Sequence, residues 1–476
     1  MTSAGLDAIV VGAGPNGLAA AITLARTGRS VRVYEANDVA GGGSRTMELT
    51  LPGFRHDVCS TILPLSLASP FFRTIDLPAF GVEMLHPDAP MAHPLDGGRV
   101  TVVERTVTAT AEHLGEPDGR AWRRLFGPLI RDRDQLAEEL LQPVIHLPRH
   151  PLALARYGLP ALRSAQGLAR SRFEGEAARA AFGGFAAHAM LALDRPWTAA
   201  FGLVLGTFAH AVGWPMARGG ASSVTDALVA ELRAFGGELV TGQRVTSLTD
   251  LPPARATLMD ITPRQLVAIA GDRLSPRVRH RAERFRYGAG VFKVDWAIDG
   301  PVPWTAAGAH RAATVHIGGT LDEIAASEAD VAAGRHPERP FVLFVQYHPW
   351  DPSRSPAGKT TAWAYCHVPA GSTVDMTDRI EAQVERFAPG FRDRILARAT
   401  HSPAQMEAHD ANYIGGDING GIQDIRQLVF RPWPGLDPYR VGPGLYLCSS
   451  STPPGGGVHG MCGYWAARSA LRHELR

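Results

Sequence analysis

Asp7-Ala8-Ile9-Val10-Val11-Gly12-Ala13-Gly14-Pro15-Asn16-Gly17-Leu18 is the stretch that decides the fold. Its first five residues are mostly apolar and stop at glycine, which predicts a short strand. Leu18 to Thr27, with Leu18, Ile22 and Leu24-Ala25 on one side, predicts a helix that Gly28 ends. Ser30-Val31-Arg32-Val33-Tyr34-Glu35 predicts a second strand. The unit is βαβ, with G-x-G-x-x-G between its first strand and its helix. Gly12 permits the tight turn, Gly14 lets backbone approach a pyrophosphate, and Gly17 lets helix and strand pack closely. A dinucleotide's diphosphate then meets free N–H groups and the positive end of the helix dipole. Gly12, Gly14, Pro15, Asn16 and Gly17 are therefore candidate cofactor contacts. Glu35 falls 18 residues after Gly17, placed with Ala36 at the end of the second strand. Its carboxylate would accept from a ribose hydroxyl and repel a 2′-phosphate.

A second glycine cluster follows at Gly41-Gly42-Gly43-Ser44-Arg45. Small residues there let backbone pass close to something bulky, with Arg45 facing a phosphate or a ring edge. The far end mirrors the beginning. Gly444-Leu445-Tyr446-Leu447-Cys448 predicts a strand, Ser449 to Gly457 a glycine-rich loop, and Val458 to Leu471 a helix. The nucleotide-binding unit is thus expected to be discontinuous.

Residues 105–215 read as mostly helical and carry no chemical motif. Arg149, Arg156, Arg163 and Arg170 recur every seven residues, a spacing that stacks them on one helix face although Pro151 and Pro160 interrupt it. Such a face is either simply solvated or rests on anionic lipid. Beyond Gly213-Trp214-Pro215, a helix with Val224, Leu228 and Leu232 leads to strands at Glu238-Leu239-Val240 and Arg244 to Leu248. Gly290 to Trp296 reads as a strand with Lys293 inside it. Two aromatic strands, Phe341 to His348 and Thr361 to Val368, carry Tyr347, Trp363 and Tyr365 as a packed sheet or a substrate wall.

The bulk numbers narrow the class. With 476 residues the chain has room for two or three domains. A net charge of +2 implies no strong nucleic-acid or membrane field. Cys59, Cys366, Cys448 and Cys462 form no C-x-x-C pair, which points to a reducing, cytoplasmic setting. The first strand begins by residue 7, so no signal peptide is expected. No ligand spacing suggests a metal, and there is no G-x-S-x-G.

Taken together, these segments resemble the phytoene-desaturase-like branch of the FAD-dependent amine-oxidase superfamily. The resemblance runs through Val11 to Leu18, Glu35, Gly42-Gly43, Pro52-Gly53-Phe54, Gly213-Trp214-Pro215, Gly219-Gly220, Leu445 to Cys448 and Gly455 to Val458. It implies an α/β fold: a discontinuous, glutathione-reductase-type Rossmann-like FAD-binding domain over 1–75, 213–290 and 420–476. An α+β substrate domain with a mixed sheet would cover 76–212 and 291–419, with a helical insertion near 105–212. It also implies non-covalent FAD. Val245 would meet the adenine through its backbone, and Ser450 stands where many relatives carry an acidic, pyrophosphate-facing residue. Gly457, Val458, His459 and Met461 would bring the last helix to the flavin N1–C2=O edge, with His459 as a catalytic candidate. In amine-oxidase relatives a strand lysine holds a water near flavin N5, with an apolar neighbour and an aromatic about ten residues on. Lys293, Val294 and Trp304 look similar; the competing reading is an exposed strand-edge lysine.

The expected activity is dehydrogenation of an apolar small molecule by hydride transfer to flavin, with Trp304, Tyr347, Trp363 and Tyr365 as candidate substrate contacts. The alternatives are an amine or amino-acid oxidase, a reduced-flavin isomerase, and a flavin-binding assembly protein. Partners beyond the small molecule reduce to a membrane surface; oligomeric state stays open.

Overall fold

The computed structural model describes residues 5–476. Two sheets organise it. Leu6–Val11 pairs in parallel with Val31–Tyr34 on one side and Ala254–Met259 on the other. The sheet extends to Glu238–Val240 at one edge and to Leu445–Leu447 and Arg440–Gly442 at the other. Its six strands therefore come from three separate stretches of chain, and only the Arg440–Gly442 edge runs antiparallel. Parallel strands covered on both faces read as unbroken apolar runs, which is the pattern of Ile9 to Val11.

The second sheet has seven strands in the order Ile395–His401, Gly290–Asp299, Lys359–Val368, Val342–Gln346, Ala312–Ile317, Ala89–Leu95 and Arg99–Val103. It is mixed: Ala312–Ile317 runs parallel to Ala89–Leu95, while the other pairs are antiparallel. One face of Gly290–Asp299 puts Phe292, Val294 and Trp296 into a core shared with Trp304 and Phe344. Strand alternation turns Lys293 and Asp295 to the opposite face. On that side Leu343, Val345, Tyr347 and Trp363 cluster.

Helices fill 107–211, packed on Trp122, Phe126, Phe182 and Phe185. The four arginines do not share one helix. Pro151–Ala161 ends before Arg163, and Ala165–Arg172 begins a new helix. Arg156 pairs with Asp132 and Arg170 with Asp322, so two of the four charges are tied to carboxylates.

Two departures from the sequence reading bear on the site. The stretch 244–248 is not a strand: Asp250 takes the backbone N–H groups of Thr246 and Ser247, at 2.8 and 2.9 Å. Local side-chain bonds of this kind compete with a strand ladder. The last helix is Met461–His473, because Gly460 is left-handed at φ 68° just before it. That helix lies directly on Pro15–Ala25. A Cβ at Gly463 would sit 1.7 Å from the Asn16 carbonyl oxygen, so only glycine allows the approach.

Candidate active site

The glycine loop is built tightly against the sheet. Gly12 takes φ 100°, and a Cβ on Gly17 would fall 2.0 Å from the Gly12 carbonyl oxygen. The helix opens at Pro15 with Gly14 as its cap and no capping side chain, which leaves its first amides free for an anion. The Gly17 N–H is the exception: it donates to Asp260 Oδ2 at 2.9 Å. Glu35 is held by three donors. Its Oε2 accepts from the Ala13 N–H at 2.8 Å, and its Oε1 from Asn37 N–H and Nδ2, both at 2.9 Å.

A cavity of about 140 Å³ is lined by Gly12, Gly14, Pro15, Asn16, Glu35, Gly42, Gly43 and Ser44, and from the far end of the chain by Ser450, Gly457 and Val458. The structure thus brings together residues more than 400 positions apart: Asn16 Nδ2 donates to Ser450 Oγ at 3.3 Å. Asn37, Cys59, Ser60, Asp260, Asp410, Asn412 and Tyr413 also line it, and none belongs to a motif that sequence reasoning recognised. Burial raises Asp410 and takes Asp260 up to about 8, which makes Asp260 a neutral acid at pH 7. A site for a diphosphate gains from carrying fewer negative charges.

Six cofactor candidates lie outside this lining: Gly17, whose N–H goes to Asp260, His459, which lines a neighbouring cavity, and four more. Arg45 braces the loop, donating to the carbonyls of Gly42 at 2.9 Å and His409 at 2.8 Å. Val245 is buried with Ile9, Val11 and Tyr34. Met461 packs into the core around the first helix. Ala36 is half-buried next to Glu35.

The residues present fit an adenosine diphosphate moiety. Buried Asn16 Oδ1 and Ser44 Oγ have no partner within the described residues, and both side chains line this cavity. A buried polar atom costs free energy until it is bonded.

A larger cavity of about 360 Å³ adjoins the first, sharing Cys59, Ser60, Ile418, Gly457 and Val458 with it. Its walls are Trp197, Phe201, Trp214, Trp363 and Tyr365 with Leu63, Leu140 and Val204. No Asp, Glu, Lys or Arg among the described residues lines it. Trp363 is held from behind: its Nε1 donates to Tyr347 Oη at 2.9 Å and Thr61 Oγ1 at 3.0 Å. Tyr347 Oη donates in turn to Asp57 at 3.1 Å, and Asp57 is ion-paired with buried Arg354.

Three candidates stand elsewhere than expected. Tyr347 is behind the wall rather than in it. Trp304 lies in the core on the other face of the sheet, with its Nε1 bonded to Gln346 Oε1 at 3.0 Å. Lys293 is neither an exposed edge residue nor part of either lining. It sits on an interior strand, 1% exposed, ion-paired with Asp295 and 5.0 Å from the centre of the Trp363 ring. His56 and His401 approach the same Asp295 carboxylate at 3.4 and 3.6 Å. A charge so buried needs this compensation.

His459 does line the larger cavity, but its ring is engaged. Nδ1 accepts from the Met461 N–H at 3.0 Å, and Nε2 donates to the Gly455 carbonyl at 3.2 Å. Burial takes its pKa down to about 4. It caps the last helix as a neutral imidazole and has no free nitrogen for catalysis.

A glycine-loop parallel sheet, a carboxylate just past its second strand and an adjoining apolar cavity define a dinucleotide-dependent oxidoreductase. The comparisons agree. Residues 10–75 match the NAD(P)-binding Rossmann-like domain. The chain is similar to pyridine nucleotide-disulfide oxidoreductase domain-containing protein 2 of Rattus norvegicus, 26% identical over 98% of this chain and 93% of that one. It is also similar to a phytoene desaturase (neurosporene-forming) of Rhodobacter capsulatus, 25% identical over 96% and 92% of the two chains. A solved putrescine oxidase bound to putrescine shares the fold, with a TM-score of 0.61 and 19% identity over 98% of this chain and 99% of that one. The fold expected from the sequence is the fold found.

Proposed function

We propose that this protein is an FAD-dependent oxidoreductase that dehydrogenates a largely apolar small molecule. The observation that carries the reading is the uncharged 360 Å³ cavity opening beside Cys59, Ser60, Gly457 and Val458 onto the glycine-loop cavity. When bound, FAD supplies a two-electron hydride acceptor. The chain's own residues do the rest. The helix at Pro15 and the hydroxyl of Ser44 hold the diphosphate, and Glu35 takes the ribose hydroxyls. The aromatic and aliphatic walls orient the substrate and exclude water. In this reading 1–75, 213–290 and 420–476 form the cofactor half, and 76–212 with 291–419 the substrate half.

The flavin is held without a covalent bond. Cys59 is the one cysteine lining the cavities among the described residues, and burial pushes its thiol up, away from the nucleophilic thiolate. Denaturing the purified protein should release all its flavin to the supernatant.

Apolar substrate is proposed to arrive from an anionic bilayer surface. Leu152 and Leu159 are 73% and 71% exposed on the helix Pro151–Ala161, with exposed Arg149 and Arg163 at its two ends. Val144 is 41% exposed and also lines the larger cavity. Among the described residues no helix is long and apolar enough to cross a membrane, so the contact would be peripheral.

The test is an anaerobic panel of apolar hydrocarbons, amines and amino acids, read by bleaching of the flavin. Bleaching by hydrocarbons supports the dehydrogenase. Bleaching by amines alone replaces it with an amine oxidase. Turnover only after prior reduction replaces it with an isomerase.

A further inference from the structure

Forming a carbon–carbon double bond removes two hydrogens from adjacent carbons. One leaves with its electron pair, and the other leaves as a proton that needs an acceptor. The larger cavity offers few. His459 has both nitrogens bonded. Tyr157 donates its hydroxyl to the Ala200 carbonyl at 3.0 Å, and burial raises its pKa and that of Tyr365. Cys59 is a half-buried thiol whose pKa is raised by desolvation. These groups hold their protons at pH 7 and cannot take another.

His188 is different. It follows the helix Glu176–Ala187 at its C-terminal end and lines the cavity beside Met190, Trp214 and Trp363. Its Nε2 lies 3.1 Å from Nε2 of His316, which is fully buried on Ala312–Ile317. The His316 ring rests against helix backbone: a Cβ on Gly184 would be 2.7 Å from its Nδ1. Phe185 and Phe341 stand edge-on to the same ring, at 5.8 and 5.6 Å. His316 therefore cannot move away from His188. Burial takes His188 down to about 3 and His316 well below its ordinary value, so both are neutral imidazoles.

We infer that His188 takes up the substrate proton, with His316 as its positioning residue; this rests on the dehydrogenase reading above. The C–H bond on one carbon breaks and its electron pair and hydrogen pass to FAD as oxidant. The C–H bond on the next carbon breaks, its electrons form the double bond, and its proton goes to Nδ1 of His188. The second C–H becomes acidic as the hydride leaves, and a neutral imidazole positioned in the cavity is the group that can accept its proton. Protonated His188 then donates from Nε2 to His316 Nε2, a charge-assisted bond that steadies the imidazolium. The low proton affinity of the ring returns the proton to solvent as product departs.

The test uses the flavin-loaded protein with a cyclic and a linear polyene hydrocarbon in detergent micelles. Flavin reduction is followed anaerobically in wild type, His188→Phe and His188→Ala, and binding by quenching of the cavity tryptophans. Reduction should slow about 100-fold in both variants with the dissociation constant unchanged, and added imidazole should restore His188→Ala. Should His188→Phe fail to fold, His188→Gln carries the same comparison. Equal reduction rates in wild type and variant, or a loss explained by weaker binding, overturns the role of His188. No bleaching of wild type by either hydrocarbon overturns the dehydrogenase reading, and the base with it.

Discussion

Glu35 reaches back across the glycine loop to accept the backbone N–H of Ala13 at 2.8 Å. The contact ties the end of the second strand to the turn that cradles the diphosphate. It also fixes the carboxylate where ribose hydroxyls would lie. Glu35→Ala should weaken FAD binding about 10- to 100-fold, the value of a hydrogen bond to a charged group. Flavin titration of the apoprotein measures it. An unchanged dissociation constant would place the adenosine elsewhere.

Lys293 and Asp295 form a buried ion pair, 1% and 0% exposed at their side chains. Removing one partner leaves the other charge uncompensated, at a cost of about 3–5 kcal/mol. Lys293→Met should therefore lower the urea midpoint sharply, while Lys293→Met with Asp295→Leu recovers much of it. A single variant as stable as wild type would show that the pair carries no such charge.

The structure also sets a pH window. His210 accepts the Trp122 Nε1–H on its Nε2 at 3.0 Å, and burial takes its pKa down to about 4. His459 is held likewise near 4, accepting from Met461. Unfolding returns each ring to its ordinary value of 6.5. The unfolded chain then binds protons that the folded one refuses. Each ring's contribution is full above pH 6.5 and falls as pH drops from there toward 4, by up to about 1.4 kcal/mol per pH unit, while Asp260, protonated in the folded chain up to about pH 8, offsets part of that loss. Urea midpoints measured across that range should decline steadily toward acid. A wild-type profile no steeper than that of His210→Asn or His459→Asn would mean that neither ring is held neutral.

Gly463 has no room for a side chain, because its Cβ would meet the Asn16 carbonyl oxygen at 1.7 Å. Gly463→Ala should force the first and last helices apart and cost about 1–3 kcal/mol, with FAD affinity falling as Asn16 shifts. Thermal melts with and without added FAD would separate the two effects.

What could be read in advance followed from local chemistry. G-x-G-x-x-G, Glu35 and the mirrored C-terminal loop each announce themselves in a few residues, and the cavity joins them. Lys293 could be suspected, but its partner is two residues away on the same strand face, and its burial depends on flanking strands far along the chain. Trp304 lies eleven residues after Lys293 but beyond the end of that strand, and the loop carries it into the Phe344 core on the opposite face of the sheet. His188 and Asp260 carry no motif at all. One only ends a helix and the other a strand, and their surroundings come from 100 to 250 residues away.

Leu152 and Leu159 are exposed where a soluble helix face would be polar. Replacing both with Ser should reduce co-sedimentation with anionic phospholipid vesicles several-fold, through the apolar area lost. Equal sedimentation would make the face an ordinary solvated one.

The most direct measurement is the absorbance spectrum of the purified protein, taken anaerobically before and after adding apolar polyene hydrocarbons. The expected result is a yellow protein whose flavin bands bleach as the hydrocarbon loses two hydrogens. A colourless protein that cannot be reconstituted with FAD, or a flavin that no hydrocarbon bleaches, would contradict it.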